Sequence, residues 1–572
     1  MKFIRVNMTD QTIRETDFPQ EYVGLGGRGL TSILINTEVP ADCDPLGPDN
    51  KLVLAGGLLT GTRLVNTGRI SIGAKSSLTG GIKESNVGGS APHALGQSGI
   101  AALVVEGQAP GGKYWVLRIN AGGQASLEPA DEFAGLRTYD CAEKMLARYG
   151  EKNGLLLIGP AGEQQLASAS VQSTDVDKRP CRAAGRGGMG AVMGAKGLKA
   201  IVVSEEGSAA DASANSQAFK DAAKAVAQAI AKNPFTGEML RAVGTAGLVS
   251  AVNGLGAFPS LNATQGQLED HEKISGETLA ATVAERGGRT GHKGCTGCII
   301  HCSNEYMDTD GKYVTASLEY ETLWSMGGMP GITDLDAVAR LDYLCDDIGL
   351  DTINTGVAVG VAMDAGYKEF GDAQAAIDML EEVARGSEIG KIIGNGPAAV
   401  GQHFNHSRIP AVKNQSIAAY DPRGMQGNGV TYATSPMGAD HTAGNLVGAY
   451  LTGQLKGTEP DGQVDASRES QISMAMVDNT GLCMLAASAM ADPAMLPALV
   501  AAINVRWGSS MTPDDLVALG VRTLQAEIEF NRKAGLTPED DRLPQFFYEE
   551  PLAPHNAVFK ITPEELDKTL EF

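Results

Sequence analysis

The spacing of apolar residues changes once along this chain, near residue 206, and this change constrains the fold more than any other feature. Before it, short apolar runs alternate with glycine-rich turns, as in β-strands of about four to eight residues. After it, apolar residues recur with the period of an amphipathic helix. The strand-like runs lie at 51–61, 68–76, 101–109, 113–123, 154–162 and 199–205, and the helix-like runs lie at 218–233, 335–349, 373–387 and 493–508. The sequence therefore predicts an α+β fold, with an N-terminal β-sheet domain followed by two mostly α-helical domains.

Two changes of composition predict where these domains meet. A segment rich in Ala and Ser at 207–217 follows the last strand-like run, and a glycine- and proline-rich passage at 420–444 separates two helical halves. A chain of 572 residues is also longer than one hydrophobic core supports. We expect a β-rich domain at 1–205, a helical domain at 206–410 and a second helical domain at 411–572.

Charge and composition exclude several classes of function. The 46 Lys and Arg residues against 68 Asp and Glu residues give a formal charge of −22, which argues against a nucleic-acid-binding protein. No stretch approaches the roughly 20 apolar residues of a membrane span, and the N-terminus has no apolar signal core, so we expect a cytoplasmic protein without a membrane span. The 72 glycines exceed the average share of about 7%, which indicates many tight turns or a backbone that closes around a ligand.

Three cysteines in the segment GHKGCTGCIIHC carry the strongest chemical signal. They are Cys295, Cys298 and Cys302. Their C-x2-C-x3-C spacing lets each thiolate of a short loop reach a different iron of one cluster, and Cys483 in DNTGLCMLA is the best candidate for the fourth ligand. The alternative is a structural zinc site completed by His292 or His301. Because the third cysteine follows at x3 and no second C-x2-C pair exists, the spacing favours a [4Fe–4S] cluster.

A hexad of the form D-x-x-G-L-[DC] occurs twice, once in each helical half. One copy alone is ordinary helix-end chemistry, since Asp and Gly are common where helices stop. Two copies indicate two related heterocycles, because a carboxylate can accept two hydrogen bonds from an aminopyrimidinone edge and glycine lets the backbone approach a flat ligand. The candidate ligand-binding residues are Asp346, Gly349, Leu350 and Asp351 in the first copy, and Asp478, Gly481 and Leu482 in the second, which ends at Cys483.

Arginines and glycines also cluster in three turns of the predicted β domain, NTGR at 66–69, SNVGGS at 85–90 and RAAGRGG at 182–188. Arginine forks and bare backbone N–H groups suit phosphate or dithiolene atoms. The alternative is that these are tight strand turns with solvated arginines. The candidate cofactor-binding residues in them are Arg69, Asn86, Gly88, Arg182 and Ala183.

The string GLGGRG at 24–29 formally matches the dinucleotide pattern G-x-G-x-x-G. It follows DFPQEYV, which is a poor strand, and Pro40 interrupts the next segment before a βαβ unit can form. We therefore predict no nucleotide site there.

Candidate acid–base groups are few, since the chain has only eight histidines. Glu319 and Glu321 lie in SLEYETLWSMGG, an apolar and glycine-rich setting that raises a carboxyl pKa. His441 lies in GADHTAG, within the irregular passage between the helical halves. A single histidine is as well explained as a satisfied core residue, but a glycine-rich loop is a common place for a catalytic one.

In their order along the chain, these motifs resemble the tungsten-containing aldehyde:ferredoxin oxidoreductase family, whose members carry a tungstopterin or molybdopterin. The resemblance runs nearly end to end. Its motifs are GLGGRGL, DPLGPDNKLVLAGGLLTGT, TGRISIGAKSSLTGGIKESNVGG, AAGRGGMGAVMGAKGLKAIVV, CTGCIIHC, LEYETLWSMG, LCDDIGLDT, YDPRGMQGNGVTYATSPMGADHT and DNTGLC. Each piece is weak by itself, but the ordered series is highly specific.

The resemblance implies a β domain that cradles one tungsten or molybdenum held by two pterin dithiolenes, covered by two helical domains. The two hexads then hold the pterins, with Asp346 and Asp478 on the ring edges. Backbone carbonyls at Asn86 and near Ala183 hold a Mg²⁺ that bridges the pterin phosphates, and Arg69 lies between pterin and cluster. The cluster ligands are Cys295, Cys298, Cys302 and Cys483.

The implied reaction is the oxidation of an aldehyde to a carboxylic acid, with Glu321, in preference to Glu319, and His441 as the acid–base groups. Electrons leave through the [4Fe–4S] cluster to ferredoxin or to a multi-cluster ferredoxin-like subunit, with a flavin subunit beyond it. Some relatives dimerise around an iron held by an E-x-x-H motif, which this chain lacks, so we expect no iron-bridged dimer of that type.

Two other functions stay open at this point. One is a low-potential reductase of activated aromatic rings, as in the benzoyl-CoA reductase branch, which uses the same cofactor. The other is a cluster-only electron-transfer subunit that carries no tungsten or molybdenum.

Overall fold

The structure, a computed structural model, describes residues 1–207 and 215–572. The first six strands are β1 (Lys2–Asn7), β2 (Thr12–Asp17), β3 (Leu52–Gly56), β4 (Ile70–Lys75), β5 (Ile82–Val87) and β6 (Ile100–Glu106). They form one mixed sheet in the order β2-β1-β6-β3-β4-β5, in which β1 and β6 are parallel. Helix α1 (Gly27–Glu38) precedes β3, and helix α2 (Ala91–Gln97) precedes β6.

The next six strands repeat this arrangement. They are β7 (Trp115–Ile119), β8 (Ala125–Pro129), β9 (Asn153–Leu157), β10 (Val171–Ser173), β11 (Arg182–Ala184) and β12 (Leu198–Ser204). Their order is β8-β7-β12-β9-β10-β11, with β7 and β12 parallel, so each strand has a counterpart in the first sheet. The helices are α3 (Thr138–Tyr149), α4 (Pro160–Glu163) and α5 (Met189–Ala195). Helices α3 and α5 match α1 and α2 in position and in length, 12 and 7 residues.

The two sheets pack against each other through a shared apolar core. Its buried side chains include Ile4, Leu54, Leu117, Leu156 and Ile201, which alternate with outward-facing residues along their strands. Helix α1 covers the outer face of the first sheet and helix α3 covers that of the second. Residues 1–207 therefore form a double-layered unit made of two similar halves.

Helices dominate the rest of the chain. Residues 215–410 contain α6 (Gln217–Lys232), α7 (Leu240–Val243), α8 (Leu248–Gly254), α9 (Gly276–Glu285), α10 (Tyr320–Thr322), α11 (Leu335–Ile348), α12 (Thr352–Asp364), α13 (Ala373–Arg385), α14 (Glu388–Gly394) and α15 (Pro397–Phe404), together with a sheet of β13 (Arg289–His292), β14 (Ser303–Met307) and β15 (Tyr313–Ala316). The cysteine-rich loop connects β13 to β14.

The last segment packs against both earlier ones. It contains β16 (Ala411–Val412), β17 (Gln415–Ser416), α16 (Gln426–Thr434), α17 (Val447–Leu451), α18 (Gln463–Thr480), α19 (Met484–Ala487), α20 (Met495–Trp507), α21 (Pro513–Lys533), α22 (Phe546–Glu549) and α23 (Pro563–Lys568). Helix α21 lies across α1 and α18, and α20 packs on α6. The outer face of the first sheet is therefore buried beneath helices from the end of the chain.

The α+β fold class is confirmed: a mixed-sheet unit is followed by helical ones. Each predicted strand run contains a strand and each predicted helix run contains a helix, from β3 through α20. The periodicity did not predict the sheet β13–β15 or the helix α16, whose glycines Gly427 and Gly429 allow close packing against Leu446 and Phe559. Residues 208–214 of the predicted boundary lie outside the described residues. Across the described ranges, no helix combines the length and the apolar character needed to cross a bilayer.

Candidate functional site

Each hexad forms the end of one helix and the beginning of the next. The first links α11 to α12 and the second links α18 to α19. Gly349 and Gly481 have φ angles of 80° and 81°, a left-handed conformation that residues with a Cβ disfavour. Leu350 and Leu482 after them are buried. The sequence repeat is therefore also a structural repeat.

The two hexads dock on equivalent loops of the two sheets. The second lies against the loop after β3, where the N–H groups of Leu58 and Leu59 donate to the carbonyls of Asn479 and Thr480 at 2.9 Å. The first lies against the loop after β9, where a Cβ on Gly159 would come within 2.3 Å of a hexad carbonyl. Because β3 and β9 are counterparts, the two hexads occupy equivalent positions on the two sheets.

Asp478 of the second hexad lies in a buried group of charges. Arg28 of α1 is fully buried, donates twice to Glu527 at 2.8 Å and places Nη1 3.6 Å from Asp478 Oδ2. Burial, together with the negative charge of Glu84, raises the pKa of Asp478 to about 8 despite the nearby Arg28 and Arg69. Its carboxyl group therefore takes up a proton near neutral pH.

Asp346 of the first hexad is buried next to Asp342 and Arg182. Burial raises the pKa of Asp346 well above its usual range, and the charge of Asp342 adds to the shift. Thr138 at the start of α3 donates its hydroxyl to the Asp346 carbonyl at 2.8 Å, and Thr315 donates to Asp342 at 2.7 Å. Both hexad aspartates thus resemble each other in burial and in the direction of their pKa shifts.

Asn66 joins the cysteine-rich loop to the second hexad. Its N–H donates to the Gly297 carbonyl at 3.1 Å, and its carbonyl accepts from the N–H of Cys483 at 2.8 Å. Its side-chain amide contacts Cys298 Sγ at 3.4 Å and accepts from the N–H of Ile299 at 3.1 Å.

The four predicted cluster cysteines converge at this point. Burial raises the pKa of Cys298 to about 11, with contributions from Cys295 and Cys483. Burial also raises the pKa of Cys302, with Cys298 and Cys483 among the contributing neighbours. The structure thus brings together the three thiols of the short loop and the distant Cys483.

The histidines weighed as zinc ligands have other partners. His292 Nε2 contacts Asp177 Oδ2 at 2.7 Å and its Nδ1 lies 3.4 Å from Ser303 Oγ. His301 Nε2 contacts the Cys298 carbonyl at 3.2 Å. Arg289 also contacts Asp177, at 3.2 Å, so the carboxylates near His292 form an ion-pair network. A set of four thiols therefore describes this site better than three thiols and a histidine.

Arg69 and Arg182 lie on two sides of these thiols. A Cβ on Gly88 would lie 2.7 Å from Cys295 Sγ and 3.1 Å from Arg69 Nη1, so only glycine fits between this thiol and this guanidinium. Arg69 also donates to the Asn86 carbonyl at 3.1 Å. The closeness of Cys295 raises the pKa of Arg182 against the cost of burying it. Each arginine is thus near the thiols and near one hexad aspartate, Arg69 near Asp478 and Arg182 near Asp346.

Asn86 and Ala183 occupy counterpart strands, β5 and β11, which pack against each other. Ser85 Oγ donates to the Arg186 carbonyl at 2.7 Å and accepts from its N–H at 3.1 Å, which joins the two strands at this level. The two predicted Mg²⁺-binding carbonyls therefore belong to equivalent positions of the two halves.

Glu321 and His441 form an acid–base pair whose side chains are 14% and 13% exposed. His441 Nε2 lies 3.6 Å from Glu321 Oε1, and Glu321 Oε2 accepts from the Ala419 N–H at 3.0 Å. Burial raises the pKa of Glu321, although His441 and the Ala419 N–H oppose the shift. Glu321 Oε1 and His441 Nδ1 have no hydrogen-bond partner among the described residues. Each side chain therefore has an atom free to contact a ligand.

The side chain of Glu319 has different partners from that of Glu321. Its Oε1 contacts Arg182 at 3.4 Å and its Oε2 accepts from Thr245 Oγ1 at 2.5 Å. This carboxylate is a counter-ion on the cysteine side of the site, whereas Glu321 faces His441.

Two groups of site residues lay outside the sequence predictions. Arg28 falls within the GLGGRG string, whose real role is close packing, since a Cβ on Gly27 would lie 2.0 Å from the Asp478 carbonyl. Lys83 and Asp440 form a buried ion pair beside His441. The sequence offered one signal for this pair, which is that Asp440 directly precedes the candidate catalytic residue His441.

The chain matches an oxidoreductase family along nearly its whole length. Two family models cover almost the whole chain: the N-terminal domain of aldehyde ferredoxin oxidoreductase matches residues 3–205, and domains 2 and 3 match residues 221–571. The chain therefore belongs to the aldehyde ferredoxin oxidoreductase family.

Individual relatives agree with this family. The chain is 33% identical over 575 residues to the tungsten-containing aldehyde ferredoxin oxidoreductase of Pyrococcus furiosus, covering 96% of this chain and 92% of the relative. It is 32% identical to the protein of that name in Thermococcus kodakarensis, with the same coverage. It is 25% identical over 501 residues to the WOR-like subunit of an aliphatic sulfonate oxidoreductase of Pyrococcus furiosus, covering 79% and 77%.

A solved structure shares the fold at low sequence identity. It is the active-site complex BamBC of benzoyl-coenzyme A reductase with 1,5-dienoyl-CoA, which superposes with a TM-score of 0.79 at 18% identity. The match covers 99% of this chain and 92% of that chain. At this identity the likeness establishes the architecture alone.

Proposed function

We propose that this protein oxidises aldehydes to carboxylic acids, reversibly, at a tungsten or molybdenum bis-pterin centre. Electrons pass through one [4Fe–4S] cluster to ferredoxin or to an iron–sulfur partner subunit. The observation that carries the proposal is the buried Glu321–His441 pair, 3.6 Å apart, placed in the same molecule as four converging thiols. The names of the tungsten-containing relatives support the choice of metal and substrate.

The residues present fit these cofactors. Buried polar atoms without a hydrogen-bond partner among the described residues are rare in proteins, and each calls for an explanation. Five of them belong to site residues: Arg28 Nη1, Glu84 Oε1, Arg182 Nε, Glu321 Oε1 and His441 Nδ1. A pair of pterins would supply partners for Arg28, Glu84 and Arg182, and a bound substrate would supply one for Glu321 Oε1, whereas His441 Nδ1 lies 3.8 Å from Asp440 Oδ1. Four thiols are also the usual ligand set of a [4Fe–4S] cluster.

We assign the pterin edges to Asp346 and Asp478, whose raised pKa values let each carboxyl group donate as well as accept a hydrogen bond. The backbone of Gly349, Leu350, Gly481 and Leu482 lines the same surfaces, and Asp351 caps α12 beside the first pterin. The carbonyls of Asn86 and Ala183 are the proposed Mg²⁺ ligands.

The chemistry of the proposed reaction divides between cofactor and protein. The overall change is RCHO + H2O → RCOO⁻ + 2e⁻ + 3H⁺, and a bis-pterin tungsten centre supplies the two-electron acceptor. Glu321 accepts a proton from the attacking water or from the aldehyde-derived carbon, which its burial favours because the neutral carboxyl group is the stable form there. His441, whose Nε2 lies 3.6 Å from Glu321 Oε1, donates a proton toward the carbonyl oxygen.

Electrons reach the partner through the thiol site. Arg69 and Arg182 lie beside the thiols, where fixed positive charge stabilises a reduced cluster. With a net charge of −22, the chain offers an acidic ferredoxin little long-range attraction, so a dedicated iron–sulfur subunit, with a flavin subunit beyond it, is the alternative partner.

Purified holoenzyme tests the proposal directly. Elemental analysis is expected to give one tungsten or molybdenum and about four irons per chain. Viologen reduction is then measured with acetaldehyde, benzaldehyde, an aliphatic sulfonate and, in the reductive direction, benzoyl-CoA. Turnover of benzoyl-CoA without aldehyde turnover contradicts the proposal, and iron without tungsten or molybdenum identifies a cluster-only subunit.

Two neighbouring carboxylates provide a matched pair of variants. Glu321→Gln is expected to lower the rate of aldehyde oxidation by about 10²-fold or more, because it removes the proton acceptor. The tungsten and iron content is expected to stay unchanged. Glu319→Gln leaves the acid–base pair intact and is expected to retain the proton-transfer step. Unchanged turnover in Glu321→Gln would remove Glu321 from the mechanism.

A further inference from the structure

A buried ion pair links the first sheet to the loop that carries His441. Lys83 of β5 donates its ammonium to Asp440 Oδ2 at 2.7 Å, across 357 positions of sequence. Both side chains are 1% exposed. Stability alone does not explain such a pair, since the cost of removing two charges from water commonly equals or exceeds their attraction. What the pair contacts is therefore informative.

Asp440 fixes the loop on both sides of His441. Its Oδ1 accepts from the Thr442 N–H at 2.9 Å and from the Thr442 hydroxyl at 2.8 Å, which turns the chain immediately after His441. The same Oδ1 lies 3.8 Å from His441 Nδ1. Its Oδ2 also accepts a hydrogen bond from the side-chain amide of Gln415 at 3.4 Å.

Arg186 holds the same loop from the second half of the paired sheets. It donates to the Ala439 carbonyl at 2.8 Å and to the Ser416 carbonyl at 2.7 Å. Although burial disfavours the charged form, Lys83 and Arg186 hold the pKa of Asp440 well below its usual range. Asp440 therefore stays ionised next to the imidazole ring.

We propose that Lys83 and Asp440 are positioning residues that set the tautomer and orientation of His441, with the Nδ1 proton facing Asp440 and Nε2 facing Glu321. This inference rests on the proposed function and deepens it. A fixed negative charge on one side of an imidazole ring favours the proton on that side and stabilises the imidazolium form. His441 Nε2 is then the atom that exchanges protons with Glu321 and with the substrate oxygen.

The other charged and titratable groups next to His441, Glu321 and Asp440 are unchanged in the variants below. They are Arg186, Tyr320, Tyr420 and Tyr432. Burial raises the pKa of the three tyrosines well above the usual value, so they stay neutral in the pH range of the test.

The decisive variants are Asp440→Asn, Lys83→Met and the double variant, studied as holoenzymes with tungsten and iron content measured. We expect Asp440→Asn to lower kcat by about 10²-fold with little change in KM, and to move to lower pH the limb of the kcat profile that requires protonated His441. Lys83→Met removes the nearer of the two cations that keep Asp440 ionised, so the pKa of Asp440 rises and we expect changes in the same direction. Because the two residues act as one unit, the double variant is expected to be no slower than the worse single variant.

Histidine-selective ¹⁵N NMR of the oxidised holoenzyme gives a readout that does not depend on turnover. His441, assigned with His441→Gln, is expected to show the Nδ1–H tautomer in the wild type and to lose that preference in Asp440→Asn. The matched control is Lys199→Met, which removes another fully buried lysine paired with a carboxylate, Glu163. It is expected to leave both the pH profile and the His441 signal unchanged.

An unchanged His441 signal and pH profile in Asp440→Asn would overturn the inference, as would additive losses in the double variant. Failure of the proposed function looks different, because the wild type would then not oxidise any aldehyde of the panel. In that case the NMR comparison still decides whether Asp440 sets the state of His441.

Discussion

The two halves of the paired-sheet unit share a strand order but differ in how their charges are buried. In both halves the start of a 12-residue helix, α1 or α3, meets a hexad aspartate. In the first half Arg28 is fully buried and Glu527 neutralises it. In the second half Arg137 contacts Glu381 at 2.5 Å and Asp347 at 3.4 Å, with 31% of its side chain exposed. The first half is covered by helices of the chain's last segment, and the second half is closer to solvent.

The hexads differ in their last residue in a parallel way. Cys483 faces the thiol site, whereas Asp351 caps α12 through the N–H of Ile353 at 2.9 Å and contacts Arg186 at 3.4 Å. One repeated backbone thus ends in a thiol on one side and in a carboxylate on the other. The repeat explains the shared architecture, and its last residue explains why thiols gather on one side only.

The largest expected effect separates these two last residues. Cys483→Ser is expected to lower the iron content from about four per chain and to abolish electron transfer to viologen, because serine is a poor cluster ligand. Asp351→Asn is expected to keep the iron, since this residue lies on the other side. Iron analysis and EPR of the reduced protein check both. Equal iron loss in the two variants would show that the halves do not divide these roles.

A smaller effect distinguishes the buried and exposed arginines. Arg28→Met leaves the buried Glu527 carboxylate without its cationic partner, with only the Ser32 hydroxyl donating to it, and is expected to lower the free energy of unfolding by about 3–5 kcal/mol. Arg137→Met is expected to cost about 1 kcal/mol or less, because its ion pair is partly exposed. Urea unfolding monitored by circular dichroism measures both. The double variant Arg28→Met/Glu527→Gln is the control, and it is expected to recover much of the loss.

The pH dependence of stability differs between the halves. A carboxyl group whose folded pKa exceeds its unfolded value stabilises the fold at low pH, and this contribution is lost as the pH rises through the folded pKa. Burial raises the pKa of Asp478 to about 8 and that of Asp342 to about 7. As the pH rises toward 8, the free energy of unfolding of the wild type is expected to fall relative to that of Asp478→Asn. Relative to Asp342→Asn, the loss is expected to end nearer pH 7.

Thermal unfolding of wild type and both variants between pH 5 and pH 9 measures these windows. The expected windows lie about one pH unit apart, as the two pKa values do. Parallel curves for wild type and variants would contradict the raised pKa values.

A further small effect is expected at the hydrogen bond that joins α3 to its hexad. Thr138→Val removes the hydroxyl that donates to the Asp346 carbonyl at 2.8 Å and is expected to cost about 1–2 kcal/mol. Thr138→Ser keeps the hydroxyl and serves as the control. A cost in Thr138→Ser equal to that in Thr138→Val would assign the effect to packing instead.

Local chemistry made part of this molecule predictable from its sequence. The helix ends at Gly349 and Gly481 and the short cysteine loop follow from turn and ligand preferences that act over a few residues. The duplicated strand order was not predictable, because burial patterns fix strand positions without fixing their order in a sheet. The pairs Arg28–Glu527 and Lys83–Asp440 join residues 499 and 357 positions apart, and one sequence carries no signal for such contacts.

The Arg28–Glu527 pair also bears on how this chain can be recombined with its relatives. A fragment that ends at residue 205 contains Arg28, whose guanidinium is fully buried in the whole chain, but it lacks Glu527, the carboxylate that neutralises Arg28. It also exposes the apolar surface that α21 covers. A chimera that exchanges the first 205 residues between two relatives must therefore exchange α1 and α21 together. Although its sequence is contiguous, the sheet unit thus cannot be transferred to a relative without α21.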